Sequence, residues 1–109
     1  MESPNSLDWS SVTSIETGRK ELTAKQAASR IQQARKLADR CLNITLTTEH
    51  DVFFQFSAHV KELSYTIHEN GYKTDDFCPR ISVYLDDETK KVTDFFKAAN
   101  AELDALLEL

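Results

Sequence analysis

The sequence predicts an all-α protein, an antiparallel three-helix bundle with room for a short fourth helix at the N-terminus. Two observations predict it. Apolar residues recur at helical spacing through three long segments. The chain of 109 residues has only two glycines and two prolines, too few for the frequent turns of a sandwich or barrel. We therefore expect residues 6–109 to form one helical domain after a flexible tail at residues 1–5.

The last predicted helix, from Ile81 to Leu107, has the clearest pattern. When its residues are placed 100° apart, the large apolar side chains fall on one stripe and the far side is charged. The stripe comprises Ile81, Leu85, Val92, Phe95, Phe96, Ala99, Leu103, Leu106 and Leu107. Burying each large side chain stabilises a fold by roughly 1.5–3 kcal/mol, so we expect this stripe to pack against the other helices.

The first main helix is predicted to begin after Thr23 and to end near Leu42. Thr23 and Gln26 have the spacing of a capping box, in which each side chain accepts a hydrogen bond from the other residue's backbone amide. The segment from Asn43 to Thr48 is then expected to be the connection to the next helix.

A middle helix is predicted over residues 48–70, and it has two apolar faces. Its main face comprises Val52, Phe53, Phe56, Val60, Leu63 and Ile67. Phe54, Ala58 and Tyr65 form a second face almost opposite, which neighbours in a three-helix bundle would not cover. Either an N-terminal segment with Trp9 folds over it, or another protein binds there. We predict an interface at Phe54, Ala58, Tyr65 and Trp9.

The charge of the chain is unevenly distributed. The net charge is −5, yet residues 19–40 contain seven Lys and Arg against two acidic residues. The overall acidity disfavours general nucleic-acid binding. The basic helix over residues 23–42 leaves one alternative, a nucleic-acid-associated regulator that binds through Arg30, Arg35 and Lys36.

The three histidines lie nine residues apart on the predicted middle helix. Consecutive rings of His50, His59 and His68 would point about 180° apart, so they cannot bind one metal ion together. Histidine-phosphotransfer domains are small helical bundles with an exposed histidine, typically followed by Lys three residues later and then by Gly. Here His59 is followed by Lys61 and Glu62 instead. Phosphotransfer through His59 is the other alternative function.

No catalytic motif or Gly-rich phosphate loop is present. We predict a non-enzymatic protein–protein interaction module: a subunit, adaptor or inhibitor of another protein, or a homodimer. We expect no cofactor, no metal and no small-molecule substrate. Cys41 and Cys78 lack metal-ligand spacing, which favours reduced thiols in the cytoplasm or another reducing intracellular compartment. No apolar run has the length of a membrane span.

Overall fold

The structure, a computed structural model, describes residues 21–109 and has an α+β fold. The predicted all-α bundle is therefore wrong. The elements in chain order are helix α1 (Ala24–Thr47), strands β1 (Asp51–Ser57), β2 (Glu62–His68) and β3 (Ile81–Tyr84), and helix α2 (Thr89–Leu107). The predicted tail at residues 1–5 and the short N-terminal helix with Trp9 lie outside the described residues.

The three strands form an antiparallel sheet in the order β1-β2-β3, and both helices pack on one of its faces, here called the inner face. Helix α1 packs on β1, helix α2 packs on β3, and the helices contact each other. The buried core comprises Leu37, Cys41, Ile44, Val52, Leu63, Tyr65, Val92, Phe95, Phe96, Ala99, Leu103 and Leu106. Residues 21–109 therefore share one hydrophobic core.

The predicted middle helix is wrong, because residues 51–68 form a β-hairpin. Short apolar runs fit both the helical period of 3.6 and the strand period of 2. The strand period prevails in a segment rich in aromatic and β-branched side chains, which pack well on a pleated sheet. Phe54 and Tyr65 do point the same way, but as directly opposed residues on neighbouring strands.

The hairpin turn has no Asn-Gly or Asp-Gly pair and so gives no strong sequence signal. The backbone amide of Lys61 donates to the carbonyl of Ala58 at 3.3 Å, and Lys61 has a positive φ of 57°. The Asn70-Gly71 pair, predicted to end a helix, instead turns the chain out of β2, with φ values of 62° and 100°. Both residue types tolerate this left-handed backbone.

Helix α1 begins where the sequence predicts and ends later than predicted. The capping box of Thr23 and Gln26 is confirmed, with both side chain to backbone bonds at 3.0 Å. The helix continues five residues past Leu42 to Thr47, because Ile44 on its buried side belongs to the core.

The last predicted helix is correct from Thr89 onward and wrong for residues 81–88. Residues from Val92 to Leu106 fall on its buried side as expected, whereas Leu107 is exposed. The stretch that begins at Ile81 is instead the edge strand β3, and the helix starts at Thr89. The apolar spacing of four between Ile81 and Leu85 matched a helix by coincidence.

Arg30 is a buried charged residue that links α1 to the segment before α2. It is only 5% exposed. Its Nη1 donates to the carbonyl oxygens of Leu85 at 2.6 Å and Asp87 at 2.8 Å, and its Nη2 donates to Thr89 Oγ1 at 3.1 Å. The guanidinium therefore connects α1 by hydrogen bonds to the segment between β3 and α2.

The contacts of a second arginine, Arg40, show that α1 and α2 run in the same direction. Arg40 donates to Asn100 Oδ1 at 2.9 Å and to Asp104 Oδ1 at 2.7 Å. Arg30 contacts the start of α2 while Arg40 contacts its C-terminal half. The predicted antiparallel packing is thus replaced by a parallel helix pair over an antiparallel sheet.

Substitution of Arg30 by methionine should destabilise the protein by about 2–4 kcal/mol, because buried carbonyl groups lose a charged donor. Lys36→Met, at an exposed position of the same helix, should change the free energy of unfolding by no more than about 0.5 kcal/mol. Urea denaturation monitored by circular dichroism measures both. Equal midpoints for the two variants would contradict the role assigned to Arg30.

Candidate functional site

The outer face of the sheet is opposite the two helices. Side chains alternate along a strand, so those next to the core residues point outward. Phe53 of β1, Ser64 and His68 of β2, and Tyr84 of β3 take this orientation. No described helix packs here. The connection between β2 and β3, residues 69–80 and here called the β2–β3 loop, lies across this face instead.

The first part of the β2–β3 loop is fixed by hydrogen bonds to the start of β1. The amide of Asn70 donates to Nδ1 of His50 at 2.9 Å, and the amide of Tyr72 donates to Oδ2 of Asp51 at 2.8 Å. His50 is buried, and its Nδ1 must be unprotonated to accept this bond. The loop therefore leaves β2 in a defined direction, over the outer face.

Three rings meet where the loop begins to cross the sheet. The ring centroids of Phe53, His68 and Tyr72, here called the aromatic cluster, are 5.1–5.6 Å apart in all three pairs. These distances are typical of favourable aromatic contacts. His68 is only 6% exposed, whereas about half of each of the other two rings is exposed. The cluster therefore has a covered centre and an open apolar rim.

The second part of the loop is attached to β2. The thiol sulfur of Cys78 lies 3.4 Å from Nδ1 of His68. Two residues later, Arg80 Nη1 lies 3.4 Å from Ser64 Oγ and 3.6 Å from Glu62 Oε1. These contacts cover Ser64, which is buried although no described helix packs on it. The loop is thus attached to the sheet at both ends.

Phe77 lies between these two attachments and next to Cys78. It is 90% exposed, the highest exposure of any large apolar side chain in residues 21–109. Phe77 is an exposed phenylalanine on a loop that is held in place and that also carries Tyr72 of the aromatic cluster. This is unusual for a surface without a partner. The outer face with Phe77 is therefore the candidate site.

The predicted interface residues do not meet on one surface. Tyr65 is buried in the core, where its hydroxyl donates to the Glu102 carboxylate, and Phe54 is half-buried beside it on the inner face. Ala58 is exposed in the hairpin turn, and Trp9 lies outside the described residues. The helical reason for grouping Phe54, Ala58 and Tyr65 no longer applies.

The residues of the two alternative functions are also separated from the candidate site. His59 is exposed in the hairpin turn, not on a helix. Arg30 is buried with its donors occupied by α2 and the segment before it. Arg35 and Lys36 are exposed on α1. The three basic residues therefore do not form one surface.

Burial favours the neutral form of two titratable groups in the hydrophobic core, Cys41 and Tyr65. Burial raises the pKa of the Cys41 thiol to about 11, with the positive charge of Arg40 as a smaller opposing influence. Burial also raises the pKa of Tyr65, and the hydrogen bond to Glu102 adds to the increase. Among residues 21–109, no three His, Cys, Asp or Glu side chains are grouped to bind a metal ion.

A cleft of about 280 Å³ lies between the N-terminal ends of α1 and α2, with Thr23, Arg30 and Thr89 among its lining residues. Helix N-termini carry a partial positive charge that favours anions. However, the Arg30 guanidinium in this cleft is already bonded to backbone and hydroxyl oxygens. We assign no ligand to the cleft.

The sequence interpretation missed Phe53, Tyr72 and Phe77 as functional candidates. The helical pattern places Phe53 on a buried face and gives no role to the other two. The available signal was the segment of residues 69–80, which is long for a connection within a compact domain and contains two exposed aromatic residues.

No protein-family model matches the chain, and no curated protein or solved structure matches it. No helix in residues 21–109 has the length and apolar character needed to cross a membrane.

The two free cysteines lie on opposite sides of the sheet and should differ in reactivity. Cys78 is partly exposed on the outer face, whereas Cys41 is 1% exposed in the core and has a raised pKa. Ellman's reagent at pH 8 should label one thiol rapidly, because the thiolate is the reactive form. Cys78→Ser should remove the fast reaction and Cys41→Ala should retain it. Two fast thiols in the folded protein would contradict this placement.

Proposed function

We propose that the protein is a non-catalytic interaction module that binds another protein through the outer face of its sheet. The observation that carries the proposal is Phe77, which is 90% exposed on a loop attached to the sheet before and after it. Aromatic side chains, phenylalanine among them, are enriched at protein interfaces relative to the rest of the surface.

The attached loop favours binding for an energetic reason. Ordering a mobile loop on association costs free energy, and a loop already held in its bound conformation avoids that cost. Hydrogen bonds to His50 and Asp51 hold one end of the β2–β3 loop, and contacts to Ser64 and Glu62 hold the other. Burying an exposed phenylalanine side chain contributes roughly 1.5–3 kcal/mol.

The outer face and its loop have the composition of an interface rather than of a small-molecule site. Phe53 and Tyr72 add half-exposed apolar surface, while Asp75 and Asp76 are exposed and charged. An apolar centre with a polar edge is typical of protein interfaces. The acidic residues favour a partner with basic side chains around an apolar pocket.

The two alternative functions have less support. A phosphotransfer bundle would need His59 on a helix, and His59 lies in a hairpin turn. A nucleic-acid regulator that uses α1 would need Arg30 at the surface, and Arg30 is buried with its donors engaged.

Phe77→Ser should abolish partner capture while leaving the melting temperature within a few degrees, because the side chain makes little contact with its own domain. Tagged full-length protein, wild type or variant, is used to capture proteins from extracts of its native cell. Captured proteins are quantified by mass spectrometry, and a partner is a protein whose recovery falls at least about tenfold with the variant.

The matched control is Leu109→Ser, which removes another highly exposed apolar side chain outside the outer face. It should leave capture unchanged. A partner lost equally with both variants, or with neither, would refute the outer face as the binding surface.

A further inference from the structure

A second exposed apolar surface runs along α1. Ala24, Ala28, Ile31, Arg35, Ala38, Leu42 and Leu46 follow one another at spacings of three or four residues, and we call this row the α1 seam. Its three large apolar members, Ile31, Leu42 and Leu46, are 52%, 61% and 78% exposed. A row of this spacing is typical of helices that pack against a second helix.

The α1 seam points away from α2 and past the β1 edge of the sheet. Arg40 points toward α2, where it bonds Asn100 and Asp104. At 100° per residue, Ile31 and Leu42 lie about 180–200° around the helix from Arg40. Because α1 packs on β1, the α1 seam lies on the side of the helix next to the open edge of that strand.

Along the β1 edge of the sheet, the outward-facing backbone groups of Phe54 and Phe56 make no hydrogen bond to any of residues 21–109. The amide of Val52 donates to Thr45 Oγ1 and its carbonyl accepts from the same hydroxyl, so these two groups face away from β2. Outward-facing groups recur at every second residue of an antiparallel strand, which places those of Phe54 and Phe56 on the same open edge. No charged residue, proline or bulge interrupts residues 52–56, although natural proteins usually protect an edge in one of these ways.

The other edge of the sheet is less suited to pairing. Strand β3 has only four residues, and Pro79 with Arg80 precedes it while Asp86 with Asp87 follows it. Short strands flanked by proline and charge are protected against pairing.

We propose that a second copy of this chain occupies both features, in a symmetric dimer that joins the two β1 edges and the two α1 seams. Antiparallel pairing of β1 with its copy would extend each sheet to six continuous strands, a recognised mode of association. The two-fold axis would stand perpendicular to the sheet, so both α1 helices would lie side by side on the shared inner face. The interface is self-complementary, as a two-fold dimer requires.

The sequence of the α1 seam supports a second copy rather than a foreign helix. In an antiparallel pair, Ile31 faces Leu42 of the second copy, and Ala28 faces Leu46. Ile31 and Leu42 would thus pack against each other, and Leu46 would pack against the small Ala28. Arg35 falls opposite Ala38 and next to Asp39 of the second copy, which supplies an opposite charge to the only charged residue of the seam.

The helix and strand contacts can share one two-fold axis. The helix pairing is centred near residue 37, about 12 Å along α1 from Thr45 at 1.5 Å per residue. Pairing of Phe54 with Phe56 of the second copy is centred on Gln55, about 10 Å along β1 from Val52 at 3.4 Å per residue. Thr45 and Val52 are in contact, and α1 and β1 run in opposite directions. The centre of the helix pairing therefore nearly coincides with the centre of the strand pairing.

The dimer also accounts for the exposure of Phe56. This side chain points to the inner face, opposite the core residue Leu63 on β2, yet it is 48% exposed. In the dimer it would lie beside Phe54 of the second copy, beneath the paired helices. A half-exposed phenylalanine on the core side of a sheet would thereby be covered.

The first test is the molar mass of the full chain by light scattering over a range of concentrations. Wild type should approach twice the monomer mass of 12.4 kDa. Leu42→Glu should raise the dissociation constant at least about a hundredfold, because the change occurs twice in each symmetric dimer. Leu109→Glu, at another exposed apolar position outside the α1 seam, should have no effect. A monomeric wild type, or a dimer insensitive to Leu42→Glu, would overturn the proposal.

The second test fixes the helix orientation in a Cys78→Ser background. Ile31→Cys combined with Leu42→Cys should give a covalent dimer when air oxygen oxidises each thiol pair to a disulfide and is reduced to water. Each single substitution should not, because identical positions lie about 16 Å apart across an antiparallel pair. Efficient cross-linking of a single variant would overturn the antiparallel arrangement.

This inference does not depend on the outer face. Phe77→Ser should leave the molar mass unchanged, and Leu42→Glu should leave the outer face intact, as measured by rapid labelling of Cys78. Dimerisation without partner capture, or partner capture by a monomer, would therefore separate the two proposals.

Discussion

The buried guanidinium of Arg30 is the contact on which the arrangement of the elements depends. A cation that is withdrawn from water needs acceptors, and the carbonyls of Leu85 and Asp87 supply them at 2.6 and 2.8 Å. The contact joins the first element of the described chain to the junction between its last strand and last helix. It thereby places α1 and α2 side by side and parallel on one face of the sheet, and it leaves the opposite face to the β2–β3 loop.

The sequence predicts the helices well because they carry long amphipathic patterns. The capping box at Thr23 and the stripe from Val92 to Leu106 are both present in the structure. The strands were mistaken for helices because a seven-residue run such as β1 fits both the helical period of 3.6 and the strand period of 2. In addition, the hairpin turn at Lys61 has no residue pair that is typical of such turns. Where a long pattern was absent, only tertiary contacts could decide between helix and strand.

The candidate site was less predictable than the fold for a related reason. The aromatic cluster combines one residue from each of β1, β2 and the β2–β3 loop, and its members come together only when the strands are in register. The contacts of Arg30 are equally invisible in sequence, since its main acceptors are backbone carbonyls 55 and 57 residues away. Residue type gives no information about backbone acceptors, so the sequence pattern does not place Arg30 in the interior.

Placement of both helices on one side of the sheet has a consequence for valency. A two-fold axis perpendicular to the sheet keeps the helices of both copies together and turns both outer faces toward the same side. A dimer built in this way presents two Phe77 side chains to one target surface. A partner with two binding segments, or one displayed repeatedly on a filament or assembly, would then be held at high effective concentration after its first contact. Weak individual contacts would suffice for tight attachment, and dissociation of the dimer would release the target.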